Sequence, residues 1–404
     1  MTRCPACGEP PDGSARDPVF VADSVPAQLS RLYASADEAL RAPRGRVEIV
    51  VCSRCGFAWN RAFDPELVVY DADYVDSQIG SGVFRRFVDA MIDEAVTRHG
   101  RPPRAVLEIG SGSGDVLRRS CARLGVPGTG FDPVPARPED GTAVPVPVAF
   151  ERRLFGPDVD PGPADLVVCR HTLEHLADPA GLLSDITTVF AGRRATVYLE
   201  VPDADAMLAA RAFWDVYHEH VGYFGRRSLI RLIERCGLGP LEVRSDYGGQ
   251  YLVAFARSGD AGPEPATGRD PVTLDGARVR ARWAALDEAR WTWARRWEGV
   301  PGVVVWGATS RTTQLLAIVP GFEPVGVCDI NPDKWGRHLA GCAAPISSPR
   351  QVAGLDPDLV LAANPRYVGE IAAELERHGA SVPVVGLAVD GEAGKPVQRP
   401  EVRR

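Results

Sequence analysis

The sequence predicts an α/β protein in three parts: a cysteine-bearing N-terminal module, a central Rossmann-like unit and a second Rossmann-like unit near the C-terminus. Three observations carry this reading. Two matched Cys-x-x-Cys-Gly turns stand at Cys4–Gly8 and Cys52–Gly56. An apolar strand runs into a glycine-rich turn at Gly110–Gly114 and then into an amphipathic helix. The same order of elements begins again, more crudely, at Val303. The parts span residues 1–70, 71–257 and 271–390, a division that suits the chain's 404 residues.

In the first part, Cys4, Cys7, Cys52 and Cys55 offer four thiolates from two tight turns, the donor set of a tetrahedral, closed, structural zinc site. The two pairs lie farther apart than in a usual zinc ribbon, so a small subdomain with strands such as Val47 to Val51 must fold between them. The bland alternative is two pairs of free thiols. The other five cysteines sit alone in apolar contexts and read as small core residues.

Residues 71–100 read as helical, with Phe84, Phe87, Val88, Met91, Ile92 and Ala95 on one face. Ala105-Val106-Leu107 then reads as a buried strand, and Val116 to Leu124 as a helix. The turn between them, Glu108-Ile109-Gly110-Ser111-Gly112-Ser113-Gly114, needs glycine because the backbone must turn tightly and approach a ligand without a Cβ in the way. Its spacing is Gly-x-Gly-x-Gly and not the dinucleotide Gly-x-Gly-x-x-Gly. A second strand, Val126 to Phe131, ends at Asp132-Pro133. A carboxylate there can accept both hydroxyls of a ribose. Later strands read as Asp165 to Cys169 and Ala195 to Val201.

A linker rich in Gly, Pro and Asp runs from Ser258 to Asp270. The helix after it carries Trp283, Leu286, Trp293 and Trp297 as a packing face. The last part opens with Val303-Val304-Val305-Trp306-Gly307-Ala308, and Asp329 takes the place that Asp132 holds in the first unit. With one glycine in its loop, this second unit is expected to bind no cofactor.

The charge of −7 argues against a nucleic-acid partner, which needs basic stripes. No apolar run reaches the length of a membrane span, and the N-terminus lacks a signal-peptide core. The expectation is a cytoplasmic enzyme with reduced thiols, acting on a small molecule as a monomer or homodimer.

Two clusters compete for the chemistry. The first is His171-Thr172-Leu173-Glu174-His175, directly after a strand. On a helix, its two histidines would share a face, hold zinc and use Glu174 as base, as in inverted zinc peptidases. At a strand end in a nucleotide-binding sheet it would line a cofactor pocket instead. The second cluster is Phe213 to Phe224, with Tyr217, His218, Glu219, His220 and Tyr223 among large aromatics. Aromatic walls exclude water and histidine titrates near neutrality, so this loop suits a general base. A metal at His218-x-His220 and a buried polar network are the alternatives.

Taken together, the two knuckles, the Glu108-x-Gly110-x-Gly112-x-Gly114 loop, the Arg170-His171-x-Leu173-Glu174-His175 stretch, the Tyr217-His218-Glu219-His220 loop and Trp306-Gly307-Ala308 resemble, in this order, the three-domain S-adenosylmethionine-dependent C-methyltransferases of nucleotide-linked keto-deoxysugars. The resemblance implies a class I methyltransferase domain in the middle and a structural zinc on Cys4, Cys7, Cys52 and Cys55. It implies S-adenosylmethionine near Glu108, Gly110, Ser111, Gly112, Gly114, Asp132, Pro133, Arg170 and His171. It also implies His220 as the base, Glu219 as its partner and Tyr217 as a hydrogen-bond donor, with His218 and Tyr223 beside them. Four places depart from the family pattern: Gln28 for Asn in a substrate-facing turn, Arg311-Thr312 for Lys-Gly, Ala340-Gly341-Cys342 for Pro-Gly-Thr, and Val221-Gly222 for more polar residues. These departures keep open a non-sugar natural-product substrate, methylated on carbon, nitrogen or oxygen.

Overall fold

A computed structural model of the chain describes residues 3–10, 17–71, 78–134, 136, 144–259 and 276–389. Beyond Gly259, the linker expected to Asp270 lies outside them.

The N-terminal module holds β1 (Phe20–Pro26), β2 (Leu32–Tyr33), α1 (Ala36–Leu40), β3 (Arg44–Val51) and β4 (Ala58–Asn60). β1, β3 and β4 pair antiparallel in that order.

The central part runs α2 (Gly82–His99), β5 (Val106–Ile109), α3 (Asp115–Leu124), β6 (Gly128–Phe131), β7 (Val148–Glu151), β8 (Leu166–Arg170), α4 (Pro179–Val189), β9 (Ala195–Pro202), α5 (Ala204–Ala209), β10 (Gly222–Tyr223), α6 (Arg226–Arg235), β11 (Gly239–Asp246) and β12 (Tyr251–Ser258). Its seven-stranded sheet has the order β7-β6-β5-β8-β9-β12-β11. The first five strands are parallel, and the β11–β12 hairpin closes one edge antiparallel. This is a Rossmann-like, doubly wound sheet with an antiparallel hairpin at one edge. Alternate residues feed opposite cores. Val106, Leu166, Val168 and Phe255 pack with α2 and α3, while Leu107, Val167, Leu199 and Ala254 pack with α4 and α6. The buried face of α2 is Phe84, Phe87, Val88, Met91, Ile92 and Ala95, as the periodicity predicts, with His99 added.

The third part holds α7 (Gly276–Trp297), β13 (Val303–Trp306), α8 (Ser310–Ile318), β14 (Gly326–Cys328), β15 (His338–Leu339), β16 (Ile346–Ser347), α9 (Pro349–Val352), β17 (Leu359–Ala362), α10 (Val368–Arg377) and β18 (Val384–Gly386). Its parallel sheet has the order β16-β14-β13-β17-β18. The tryptophan face of α7 is buried, with Trp293 stacked on Trp297.

The parts interlock more than sequence boundaries suggest. β10 lies in the central stretch but pairs with β4 of the N-terminal sheet. β15 of the third part pairs with β2 of the first. One core joins Val25, Val47 and Ile49 to Phe213, Trp214, Trp283, Trp293, Val303 and Val305. The β11–β12 turn reaches the third part through reciprocal amide bonds between Gln250 and Asn364, at 2.9 and 3.0 Å. No helix among the described residues is long and apolar enough to cross a membrane.

Candidate active site

In a doubly wound sheet, ligands bind at the carboxyl ends of the strands where the order reverses, here between β5 and β8. The glycine turn sits there. Gly110, with φ +72°, packs so tightly that a Cβ would stand 2.0 Å from the Thr172 hydroxyl. A Cβ on Gly114 (φ +83°) would strike the Phe150 ring at 2.5 Å. Gly112 differs: its φ is +48°, yet nothing lies within 4 Å of where its Cβ would be. It faces an open cradle. Its N–H donates to Asp132 Oδ2 at 2.8 Å, and the Val134 N–H donates to Oδ1 at 2.7 Å. The carboxylate is thereby fixed beside the cradle. Ser111 turns its side chain under Gly130, so only its backbone lines the loop, and Pro133 is exposed just past Asp132. This open, Cβ-free surface beside an anchored carboxylate fits an adenosyl ligand.

Glu108 and Arg170 do not face that cradle. Glu108 is buried beneath the turn and accepts the backbone N–H of Leu117 in the first turn of α3. Burial pushes its carboxyl up to about 8, against the pull of Arg170. Its place is to hold the turn to the helix. Arg170 is buried on Glu200, itself held at about 2 because Arg170 and His171 outweigh burial. Its guanidinium also lies over Phe84. It ties β8 to β9.

His171 has a left-handed backbone, φ +47°. Its Nδ1 lies 3.2 Å from Glu174 and its Nε2 2.9 Å from Glu200. Burial opposes its charge, but the two carboxylates win and hold the imidazolium up to about 9. The segment is not an α-helix, since only Leu173–His175 form a short 3-10 turn. Both His171 nitrogens lie against carboxylates and the segment is not helical, so the shared helix face of His171 and His175 that the peptidase reading needs is not formed.

The second cluster divides into inward and outward residues. His218 is fully buried. Its Nδ1–H donates to Arg46 O at 2.9 Å, and its Nε2 accepts the Asp64 N–H at 3.4 Å. Tyr223 accepts the Tyr217 N–H at 2.8 Å and donates to the Tyr217 carbonyl at 3.1 Å. Both side chains brace the loop and offer nothing to a substrate, which corrects their expected catalytic place. Glu219 accepts the Leu29 N–H at 3.0 Å, linking the loop to the N-terminal module.

His220 is half-buried, and neither ring nitrogen is hydrogen-bonded among the described residues. Its ring meets His175 edge-on at 4.9 Å and Tyr217 at 4.6 Å. Burial, with His175 and His171 nearby, holds it well below the ordinary histidine range, so the ring is neutral. Tyr217 donates its hydroxyl proton to Asp215 Oδ1 at 2.8 Å, so it presents an acceptor and not the expected free donor.

Two residues that sequence reasoning did not place in the site join it here. Asp215 receives a two-pronged bond from Arg311, Nε to Oδ1 at 2.6 Å and Nη2 to Oδ2 at 2.9 Å. The signal was available, since Asp215 stands two residues before Tyr217 and Arg311 is a departure from the family pattern. Gln28, by contrast, is buried and engaged within the protein. Its amide clasps the Val69 backbone in both directions at 2.8 Å.

The two knuckles mirror each other. The Gly8 N–H bonds Cys4 O and the Gly56 N–H bonds Cys52 O, at 2.9 and 2.8 Å. The four Sγ atoms converge, with Cys4–Cys55 at 3.7 Å and Cys7–Cys52 at 3.8 Å. A tetrahedron with Zn–S bonds of about 2.3 Å has edges of about 3.8 Å. The cluster is compatible with zinc.

The third part repeats the Asp132 arrangement. The Ala308 N–H donates to Asp329 Oδ2 at 2.8 Å, and the Asn331 N–H to Oδ1 at 2.9 Å. Here the chain adds its own cation. Buried Lys334 reaches Oδ2 at 3.2 Å and the Ala308 carbonyl at 2.8 Å. The carboxylate is neutralised from within.

Residues 83–243 match the family model of a methyltransferase domain. Over 356 residues the chain is 29% identical to the C-methyltransferase NovU of Streptomyces niveus, covering 80% of this chain and 81% of that protein. Among solved structures, the 1,6-didemethyltoxoflavin-N1-methyltransferase of Burkholderia thailandensis aligns over 44% of this chain and 82% of its own at 20% identity, with a TM-score of 0.35. The magnesium protoporphyrin IX methyltransferase of Synechocystis PCC 6803 aligns over 46% and 87% at 15% identity, with a TM-score of 0.33. The family match falls on the strands, glycine turn and anchored carboxylate described above, and the chain is an S-adenosylmethionine-dependent methyltransferase.

Proposed function

We propose that the enzyme methylates a carbon next to a ketone, on a sugar carried by a nucleotide, with His220 as general base and a structural zinc on Cys4, Cys7, Cys52 and Cys55. One observation carries this reading. A continuous line of contacts runs from Gly110 through Thr172 and His175 to His220, and on through Tyr217 and Asp215 to Arg311. An imidazole with unoccupied nitrogens therefore lies between the glycine turn and a fixed cation from the third part, which supports its use as the base. The carbon acceptor agrees with the name of the Streptomyces relative.

When bound, S-adenosylmethionine supplies an electrophilic methyl group on a sulfonium. Gly110, Gly112 and Gly114 would cradle it, and Asp132 would hold its ribose hydroxyls. His220 takes the proton from the carbon beside the ketone, since the carbonyl makes that C–H acidic enough for an imidazole. Arg311 grips Asp215 through Nε and Nη2, and its fixed positive charge would offset the negative charge that builds on the substrate oxygen. Asp215 and Tyr217 hold that guanidinium in place. The zinc, closed by four thiolates, has no part in the chemistry.

The test is incubation with methyl-labelled cofactor and a panel of keto-sugar nucleotides, with the product mapped by NMR. Label on carbon adjacent to the ketone supports the reading. Label on oxygen or nitrogen, or transfer only to non-sugar acceptors, rejects it.

A further inference from the structure

We propose that Glu174, His175 and His220 bind one divalent transition-metal ion, and that its binding silences the enzyme by taking the lone pair of His220. The silencing half rests on His220 being the base; the site itself does not. One ligand atom from each residue lies within 4.8 Å of the other two.

The surroundings are those of a prepared site. His175 Nδ1 lies 3.1 Å from the Glu219 carbonyl, an acceptor only, so Nδ1 carries the proton and Nε2 keeps its lone pair. Tyr70 reaches the same Nδ1 at 3.3 Å. The first carboxyl oxygen of Glu174 is held by His171 at 3.2 Å. Its second oxygen is buried with no hydrogen-bond partner, on a side chain 1% exposed. A buried carboxylate oxygen left without a partner is costly, and a cation would relieve it. His220 completes the set with ring nitrogens that no described residue engages.

Two imidazoles and one carboxylate suit zinc, cobalt or nickel, whereas magnesium and calcium prefer oxygen ligands throughout. Three protein ligands leave a coordination position open, in contrast to the closed thiolate site. The metal and the substrate proton compete for the same lone pair on His220.

The test is a cobalt(II) titration of the purified protein, followed by absorbance and calorimetry. A cobalt ion on nitrogen and oxygen lacks the sulfur-to-metal charge-transfer band that a thiolate-bound ion shows. The wild type is expected to bind one such ion. Glu174→Gln and His175→Gln are each expected to weaken it at least about tenfold while the thiolate-bound metal is retained, which reports that both variants are folded. Zinc added beyond the thiolate equivalent is expected to stop wild-type methyl transfer reversibly. A wild type with no band-free cobalt, or variants that bind it equally well, overturns the site. Binding without inhibition overturns the silencing. Methyl transfer measured with no added metal tests the enzymatic reading separately.

Discussion

The hydroxyl of Thr172 stands 2.0 Å from the point where a Cβ on Gly110 would lie. The turn after β8 is therefore pressed against the turn after β5, and the first positions the histidines relative to the second. Gly110→Ala must displace Thr172 and also hold a left-handed residue, a strain of about 1–2 kcal/mol before any clash. It is expected to lower both the unfolding midpoint and cofactor affinity. Gly112→Ala carries the same left-handed strain (φ +48°) but meets no protein atom, so its loss of cofactor affinity is expected to exceed what its smaller loss of stability explains. Thermal unfolding and calorimetry with S-adenosylmethionine check the contrast. Unchanged binding in Gly112→Ala would remove the cradle from the cofactor site.

Glu108 makes stability depend on pH. Its carboxyl is held at about 8 when folded, against about 4.3 in an unfolded chain. Between these values the folded protein binds more protons than the unfolded one, so stability falls as pH rises. Below about 4.3 this residue contributes no slope, and above about 8 the loss is complete. Glu108→Gln still accepts the Leu117 N–H but does not ionise. Its unfolding midpoint relative to wild type is expected to rise steadily from pH 5 to pH 8. A constant difference would mean that Glu108 does not hold its proton.

Asp215 joins Tyr217 to Arg311. Asp215→Asn removes the charge that grips the guanidinium and is expected to lower kcat/KM by about ten- to a hundredfold, a loss of about 1.4–3 kcal/mol. Cofactor affinity should be unchanged. Arg311→Lys is expected to fail as a substitute, because an ammonium cannot make the two-pronged bond. Steady-state kinetics with calorimetry separates these effects, and a fully active Arg311→Lys would contradict them.

The thiolate cluster also bears on docking. Arg235 of α6 donates to the carbonyls of Pro5 and Ala6, at 3.1 and 3.3 Å, inside the first knuckle. Cys52→Ser is expected to lose the zinc and to lower the unfolding midpoint by several degrees, with proteolysis beginning in the N-terminal module. Metal analysis and limited proteolysis check this. Full zinc content in the variant would move the ion elsewhere.

Local pattern made most of the fold legible. The strand before Gly110, the buried face of α2, the tryptophan face of α7 and the second unit's Asp329 follow from periodicity and turn chemistry within a few residues. Pairing between distant segments was not legible. No local signal places β10 on the N-terminal sheet or β15 beside β2, because short strands gain their partners from the tertiary fold. The site shows the same divide. Gly112 and Asp132 lie together at the turn after β5, and His220 keeps its ring nitrogens clear of the loop's internal bonds. Glu108, Arg170, His218 and Tyr223 belong to the same motifs but point into the protein, and spacing alone does not reveal the direction of a side chain. Arg311 was visible as a departure, but its partner Asp215 lies 96 residues away.

The most direct measurement is methyl transfer by His220→Ala, made alongside calorimetry with S-adenosylmethionine. Turnover is expected to fall by about a hundredfold or more, as for loss of a general base, with cofactor affinity unchanged. Turnover near the wild-type rate in a variant that still binds cofactor would contradict the assignment of His220 as the base.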